Sequence, residues 1–263
     1  MSDKVLEIKN LTRRFGDYTA VDALNLSVNA GEAIGLLGSN GAGKTTALKM
    51  LATLLPASSG EARVAGFSIT TQAVEVRRAV GYVPQTVSVD GSLTGYENLL
   101  HFAKLYDLPR REQQARIREA LDFMGLTADG RLPVGQYSGG MIRRLEIAQS
   151  TLHRPQILFL DEPTVGLNPI ARDAVWNHLL DLQVNYGTTL FFTTHYLDEA
   201  ERYCDRIAIM HRGKIAALGA CKELEATLGE GDHTLNDVFA HYAAQSPKGS
   251  FRKASTEHAA AGA

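Results

Sequence analysis

Gly38-Ser39-Asn40-Gly41-Ala42-Gly43-Lys44-Thr45, followed by Thr46, is the stretch on which the fold turns. Its spacing fits a phosphate-binding loop: glycines let the backbone turn tightly, so that successive N–H groups point at phosphate oxygens. The loop follows an apolar, strand-sized run, Ala33–Leu37, and opens a helix predicted over Lys44–Leu55, stopped by Pro56. The N-terminus of that helix adds its positive end to the cradle. Lys44 supplies a point charge for β and γ phosphates, and the Thr45 hydroxyl is placed to ligate Mg²⁺. Strand, loop and helix in that order argue against a plain glycine-rich surface turn.

Outward from the loop, strand-like and helix-like segments alternate, which predicts an α/β layer architecture with a largely parallel sheet. Val80–Val83, Ile157–Leu160 and Thr189–Phe192 are further apolar runs suited to buried strands. Val5–Leu11, Leu24–Val28 and Gly60–Gly66 instead alternate apolar with polar, the pattern of antiparallel strands flanking the main sheet. Ile207–Met210 and Lys214–Leu218 bracket His211-Arg212-Gly213, a hairpin-length turn. From about 86 to 154 the strand signals vanish and helical spacing takes over, at Tyr96–Tyr106 and Glu112–Met124, as expected of a helical insertion. The expected fold is therefore an α/β phosphate-loop core with an antiparallel β edge and a helical insertion, spanning residues 1–230, the core of a phosphate-loop ATPase if the family resemblance given below holds. Residues 231–263 are expected to hold one short helix, Leu235–Tyr242, and a disordered tail, Gln245–Ala263, rich in Ala, Gly, Ser and Lys.

The 263 residues carry 27 Lys plus Arg against 29 Asp plus Glu, a net charge of −2, which gives no sequence-wide attraction to nucleic acid. No apolar run approaches the ~18 residues of a membrane helix, and Met1–Asn10 lacks a signal-peptide core, so a cytosolic protein is expected. Cys204 and Cys221 make neither a metal spacing nor a disulfide framework and read as apolar filler.

A second chemical signal lies at the end of a buried run: Ile157-Leu158-Phe159-Leu160-Asp161-Glu162-Pro163. A strand ending in Asp-Glu delivers two carboxylates to the sheet edge where ligands of open α/β folds gather. Asp161 fits as a direct or water-mediated Mg²⁺ partner and Glu162 as the group polarising an attacking water. A third stretch, Tyr137-Ser138-Gly139-Gly140-Met141, precedes a helix expected over about Gly140–His153, which Ser138 can cap. Alone, Ser-Gly-Gly is a common turn.

With phosphate loop, Ser-Gly-Gly and Asp-Glu strand in this order, residues 3–225 resemble the ATP-binding subunit of ABC transporters. The resemblance implies that Ser138, Gly139 and Gly140 contact the γ-phosphate of an ATP held by a second subunit. Tyr137 and Met141 replace the Leu and Gln that usually flank them. It further implies that Phe15 stacks on adenine, with Tyr18 as the alternative. It makes Gln85 the glutamine that reaches Mg²⁺ and the attacking water, and His195 the histidine at the γ-phosphate. Asn168 stands where the family usually has Asp, keeping the capping capacity without the charge. The implied function is ATP hydrolysis powering a membrane transporter. Two copies would sandwich two ATP molecules and work with a separate integral-membrane subunit on the inner face of the cell membrane. Tyr137 with Met141, Tyr196-Leu197-Asp198-Glu199-Ala200 and Leu235–Phe239 look most like the drug-resistance exporter branch, with drug-like or lipid-like substrates. The alternative is a soluble ABC ATPase that regulates or remodels another complex. Glu162 and His195 together argue against a module that only binds nucleotide.

Overall fold

The computed structural model describes residues 4–229 and 231–244, and its strands form two sheets. The first part of the chain forms β1 (Lys4–Phe15), β2 (Tyr18–Asn29), β3 (Ala33–Leu37), α1 (Lys44–Leu51), β4 (Ser59–Val64), β5 (Phe67–Ser68), α2 (Ala73–Ala79) and β6 (Val80–Val83). Three helices come next without an intervening strand: α3 (Gly95–Leu105), α4 (Arg110–Phe123) and α5 (Gly139–Thr151). The remainder is β7 (Ile157–Asp161), α6 (Pro169–Tyr186), β8 (Thr189–Thr194), α7 (Leu197–Tyr203), β9 (Arg206–His211), β10 (Lys214–Gly219), α8 (Cys221–Ala226) and α9 (Leu235–Ala244). The segment read as a disordered tail, Gln245–Ala263, lies outside the described residues.

The apolar runs pair in parallel, in the order β10-β9-β3-β8-β7-β6, with β10 closing one edge antiparallel. Every residue of β3, β7 and β8 is buried, because helices or a second sheet cover both faces. Side chains alternate between the two cores with the period of a strand. Ile157, Phe159 and Phe191 join α1 and the antiparallel strands on one face; Leu158, Leu160, Leu190 and Phe192 join α3, α4, α5 and α6 on the other. Trp176 of α6 anchors the second core, stacked on Tyr203 with centroids 4.4 Å apart and edge-on to Phe192 at 4.7 Å. The alternating strands form their own sheet, β2-β1-β4-β5, packed on the main one rather than extending it.

The predicted helix Lys44–Leu55 ends early, at Leu51. Thr53 adopts φ 59° and the amides of Leu54 and Leu55 both return to the Lys49 carbonyl, satisfying groups that another turn of helix would have used. Register decides what meets at the sheet edge. Leu37 lies opposite Thr194, and Asp161 opposite Thr193, so β3, β7 and β8 end side by side. The chain leaves β3 into the glycine loop, β7 into Glu162 and β8 into His195.

Candidate nucleotide site

The all-buried β3 delivers the glycine loop to that edge, and α1 opens at Lys44. Gly43 sits at φ 106°, and a Cβ there would press into the Ala20 carbonyl of β2, so the loop needs glycine at this point. Lys44 is folded into the loop. Its Nζ donates to the carbonyls of Gly38 at 2.7 Å and Ser39 at 3.3 Å and lies 3.6 Å from Glu162 Oε1. Burial pushes its ammonium below the usual lysine range, and the nearby carboxylates of Glu162 and Asp161 act against that shift.

The Asp-Glu pair separates into two environments. Asp161 Oδ1 accepts from the hydroxyls of Thr45 at 2.9 Å and Thr193 at 2.8 Å, which ties the start of α1 to β7 and β8. Glu162 has left the strand: it adopts φ 48°, and its amide donates to Thr193 Oγ1 at 2.9 Å. A left-handed glutamate is uncommon and persists only where its surroundings hold it. Here its carboxylate is met by Gln85 Nε2 at 3.1 Å, His195 Nδ1 at 3.3 Å and Lys44 Nζ at 3.6 Å.

A cleft of about 440 Å³ opens above the loop, lined by Phe15, Tyr18, Ala20, Asn40–Thr46, Gln85 and Glu162. Phe15 and Tyr18 face each other across the β1–β2 turn and are 45% and 60% exposed, so both aromatics are available to a flat ring. The Arg13 guanidinium covers the Phe15 ring at 4.5 Å. A separate pocket of about 110 Å³, lined by Phe123, Met124, Leu152, Leu182 and others between α4, α5 and α6, includes none of the predicted site residues.

Ser138, Gly139 and Gly140 are not among the residues lining the cleft. Exposed Ser138 caps α5, accepting from the Met141 amide at 3.3 Å, and a Cβ on Gly140 would stand 2.9 Å from Ala171 Cβ of α6. Tyr137 has a structural use. It is buried, and its hydroxyl donates to the Asp129 carbonyl at 2.8 Å, beside a Gly95 that leaves room for it. Asn168 caps α6, accepting from the Ala171 amide at 2.9 Å.

Several residues around the site were not found by sequence reasoning. Thr193 bridges Asp161 and Glu162; its only signal was its place near the end of an apolar run. Glu199, buried, accepts from the hydroxyls of Thr164 and Thr194 and lies 3.6 Å from Arg172 Nε. It thereby ties the loop after Glu162 to the strand before His195. Arg143 and Glu146 form a buried pair on α5, and their i,i+3 spacing on a helix was the readable sign.

A glycine cradle at a helix N-terminus, a buried lysine and two carboxylates at the C-terminal edge of a parallel sheet define a phosphate-loop nucleotide hydrolase. Residues 21–165 match the family model described as ABC transporter. The chain is 42% identical over 229 residues to the daunorubicin resistance ATP-binding protein DrrA3 of Streptomyces coeruleorubidus, covering 87% of this chain and 72% of that protein. It is 38% identical over 228 residues to the linearmycin resistance ATP-binding protein LnrL of Bacillus subtilis (strain 168), covering 86% and 72%. Among solved structures, an ATP-binding subunit of an ABC transporter superposes with a TM-score of 0.81 at 28% identity, covering 90% of this chain and 99% of that one. The chain belongs to the ABC transporter family, as an ATP-binding and ATP-hydrolysing subunit. No helix among the described residues is long and apolar enough to cross a membrane.

Proposed function

We propose that this chain drives an exporter of drug-like or lipid-like compounds from the cytoplasmic face of the cell membrane, together with a separate integral-membrane subunit. The daunorubicin and linearmycin resistance proteins among its relatives support drug-like compounds, and resistance is what outward transport of a drug would give. One observation carries the catalytic part: Lys44, Gln85 and His195 all converge on the Glu162 carboxylate.

In this reading the loop amides and Lys44 hold the β and γ phosphates, and Phe15 or Tyr18 covers the adenine. Glu162 takes the proton of the attacking water, while Gln85 and His195 keep its carboxylate aimed. Thr45, Asp161 and the amide oxygen of Gln85 offer an all-oxygen donor set, which fits a hard cation such as Mg²⁺. That ion, when bound, would supply charge neutralisation at the phosphates. Ser138, Gly139 and Gly140 would serve the ATP of a second copy, since they stand apart from this chain's own cleft.

A mixed pair of variants tests the sandwich. Ser138→Arg keeps an intact loop, and Lys44→Ala keeps an intact signature. Together, each also carrying Glu162→Gln so that ATP is not hydrolysed, they are expected to build a single composite site, read as one ATP retained per two chains and an ATP-dependent heterodimer. Neither variant alone should dimerise with ATP. Loss of ATP binding by monomeric Ser138→Arg would place the signature within its own chain and overturn the two-copy site.

A further inference from the structure

Arg143 and Glu146 lie on α5 just past the capping Ser138, and both are buried, 6% and 1% exposed. They pair with each other at 3.0 Å, between Arg143 Nη1 and Glu146 Oε2. A buried ion pair is poor support for stability in itself, because desolvation offsets much of the attraction. What distinguishes this ion pair is where its hydrogen bonds go. Arg143 Nη1 donates to the Pro84 carbonyl at 2.7 Å and Nη2 to the Gln85 carbonyl at 3.2 Å. Glu146 Oε1 accepts from the amide and the hydroxyl of Ser88, at 2.6 Å and 2.9 Å. Both side chains therefore grip the segment 84–88 that leaves β6.

That segment has little else to hold it. Among the described residues, no loop or turn hydrogen bond between main-chain groups involves residues 84–88. Yet the same segment carries Gln85, whose amide must stand 3.1 Å from Glu162 Oε2. We propose that Arg143 and Glu146 are positioning residues for Gln85: the pair fastens the main chain on both sides of it to α5 and so fixes its amide against Glu162. The inference rests on the reading of Gln85 and Glu162 given above.

Removing one partner would strand a buried charge, so the informative variant removes both, Arg143→Met with Glu146→Leu. The measurement is kcat and KM for ATP hydrolysis by the full chain, in the parent and in a Gln85→Ala background. In the parent, the double change is expected to lower kcat roughly 10- to 100-fold, the cost of misplacing a catalytic group by about an ångström, with KM little changed. In the Gln85→Ala background the same change should alter kcat by less than about 2-fold, since nothing remains to position. Arg143→Lys, with its charge kept and the paired geometry lost, should fall between and carries the same comparison if the double variant does not fold. Equal losses in both backgrounds, or a raised KM at unchanged kcat, would overturn the proposal and leave the pair a packing feature. A Gln85→Ala protein with parental kcat would instead overturn the assignment of Gln85, and the positioning role with it.

Discussion

Replacing Glu162 by Gln is the sharpest perturbation of this site, because it keeps the shape of the side chain and removes only charge and basicity. The carboxylate faces Gln85, His195 and Lys44 at 3.1, 3.3 and 3.6 Å. As a general base it should account for about 10²–10⁴-fold in turnover, or about 3–5 kcal/mol of barrier. Nucleotide binding should move the other way. Unit charges separated like Lys44 and Glu162 attract by about 5 kcal/mol at an effective dielectric of 20, before desolvation is counted. In the variant that attraction is free to act on the phosphates, so ATP should bind at least as tightly as in the parent. Without ATP the variant should melt earlier, since Lys44 loses its ion pair with Glu162, and added ATP should restore the loss. The assays are phosphate release at saturating ATP with Mg²⁺, melting with and without ATP, and size-exclusion chromatography, in which unhydrolysed ATP should shift monomer to dimer. Parental turnover in Glu162→Gln would show that another group is the base, with His195 the next to test. Lost turnover without any ATP-dependent dimer would refute the sandwich arrangement.

Lys44→Ala should weaken ATP binding by about 10²-fold, since hydrogen bonds to charged groups contribute roughly 1.5–3 kcal/mol each, while adenosine affinity stays near parental in equilibrium titrations. Equal losses for both ligands would place Lys44 in folding rather than phosphate binding. Acid should destabilise the fold through His153, which stacks on Tyr106 at 3.8 Å with Nε2 2.9 Å from the Val80 carbonyl. Burial pushes its pKa down to about 4 from 6.5, so the folded state resists a proton that the unfolded chain accepts. Stability is full above pH 6.5 and falls as pH drops towards 4, by up to about 3 kcal/mol. Urea melts between pH 7 and 4.5 should show this slope in the parent and a shallower one in His153→Phe; parallel slopes would refute it.

The part readable in the sequence was local. The glycine loop declares itself within consecutive residues, because its function is the geometry of a single turn feeding a single helix. The carboxylates of Asp161 and Glu162 were legible as an apolar run ending in charge, and the caps at Ser138 and Asn168 need only their own helices. Even so, α1 stops at Leu51 because of a left-handed Thr53 that no pattern announces. Phe15 and Tyr18 both line the cleft, brought there together by the β1–β2 turn.

Convergence was decided only by tertiary structure. That Lys44, Gln85 and His195 meet on one carboxylate depends on strand order, which sets β3 beside β8, β8 beside β7 and β7 beside β6. Local periodicity says that a strand is buried, not which neighbour it pairs with or in what register. The clamp of Arg143 and Glu146 on residues 84–88 was hidden for the same reason. A charged pair at i,i+3 looks alike on a wet helix face and in a core, until the fold determines what lies against it.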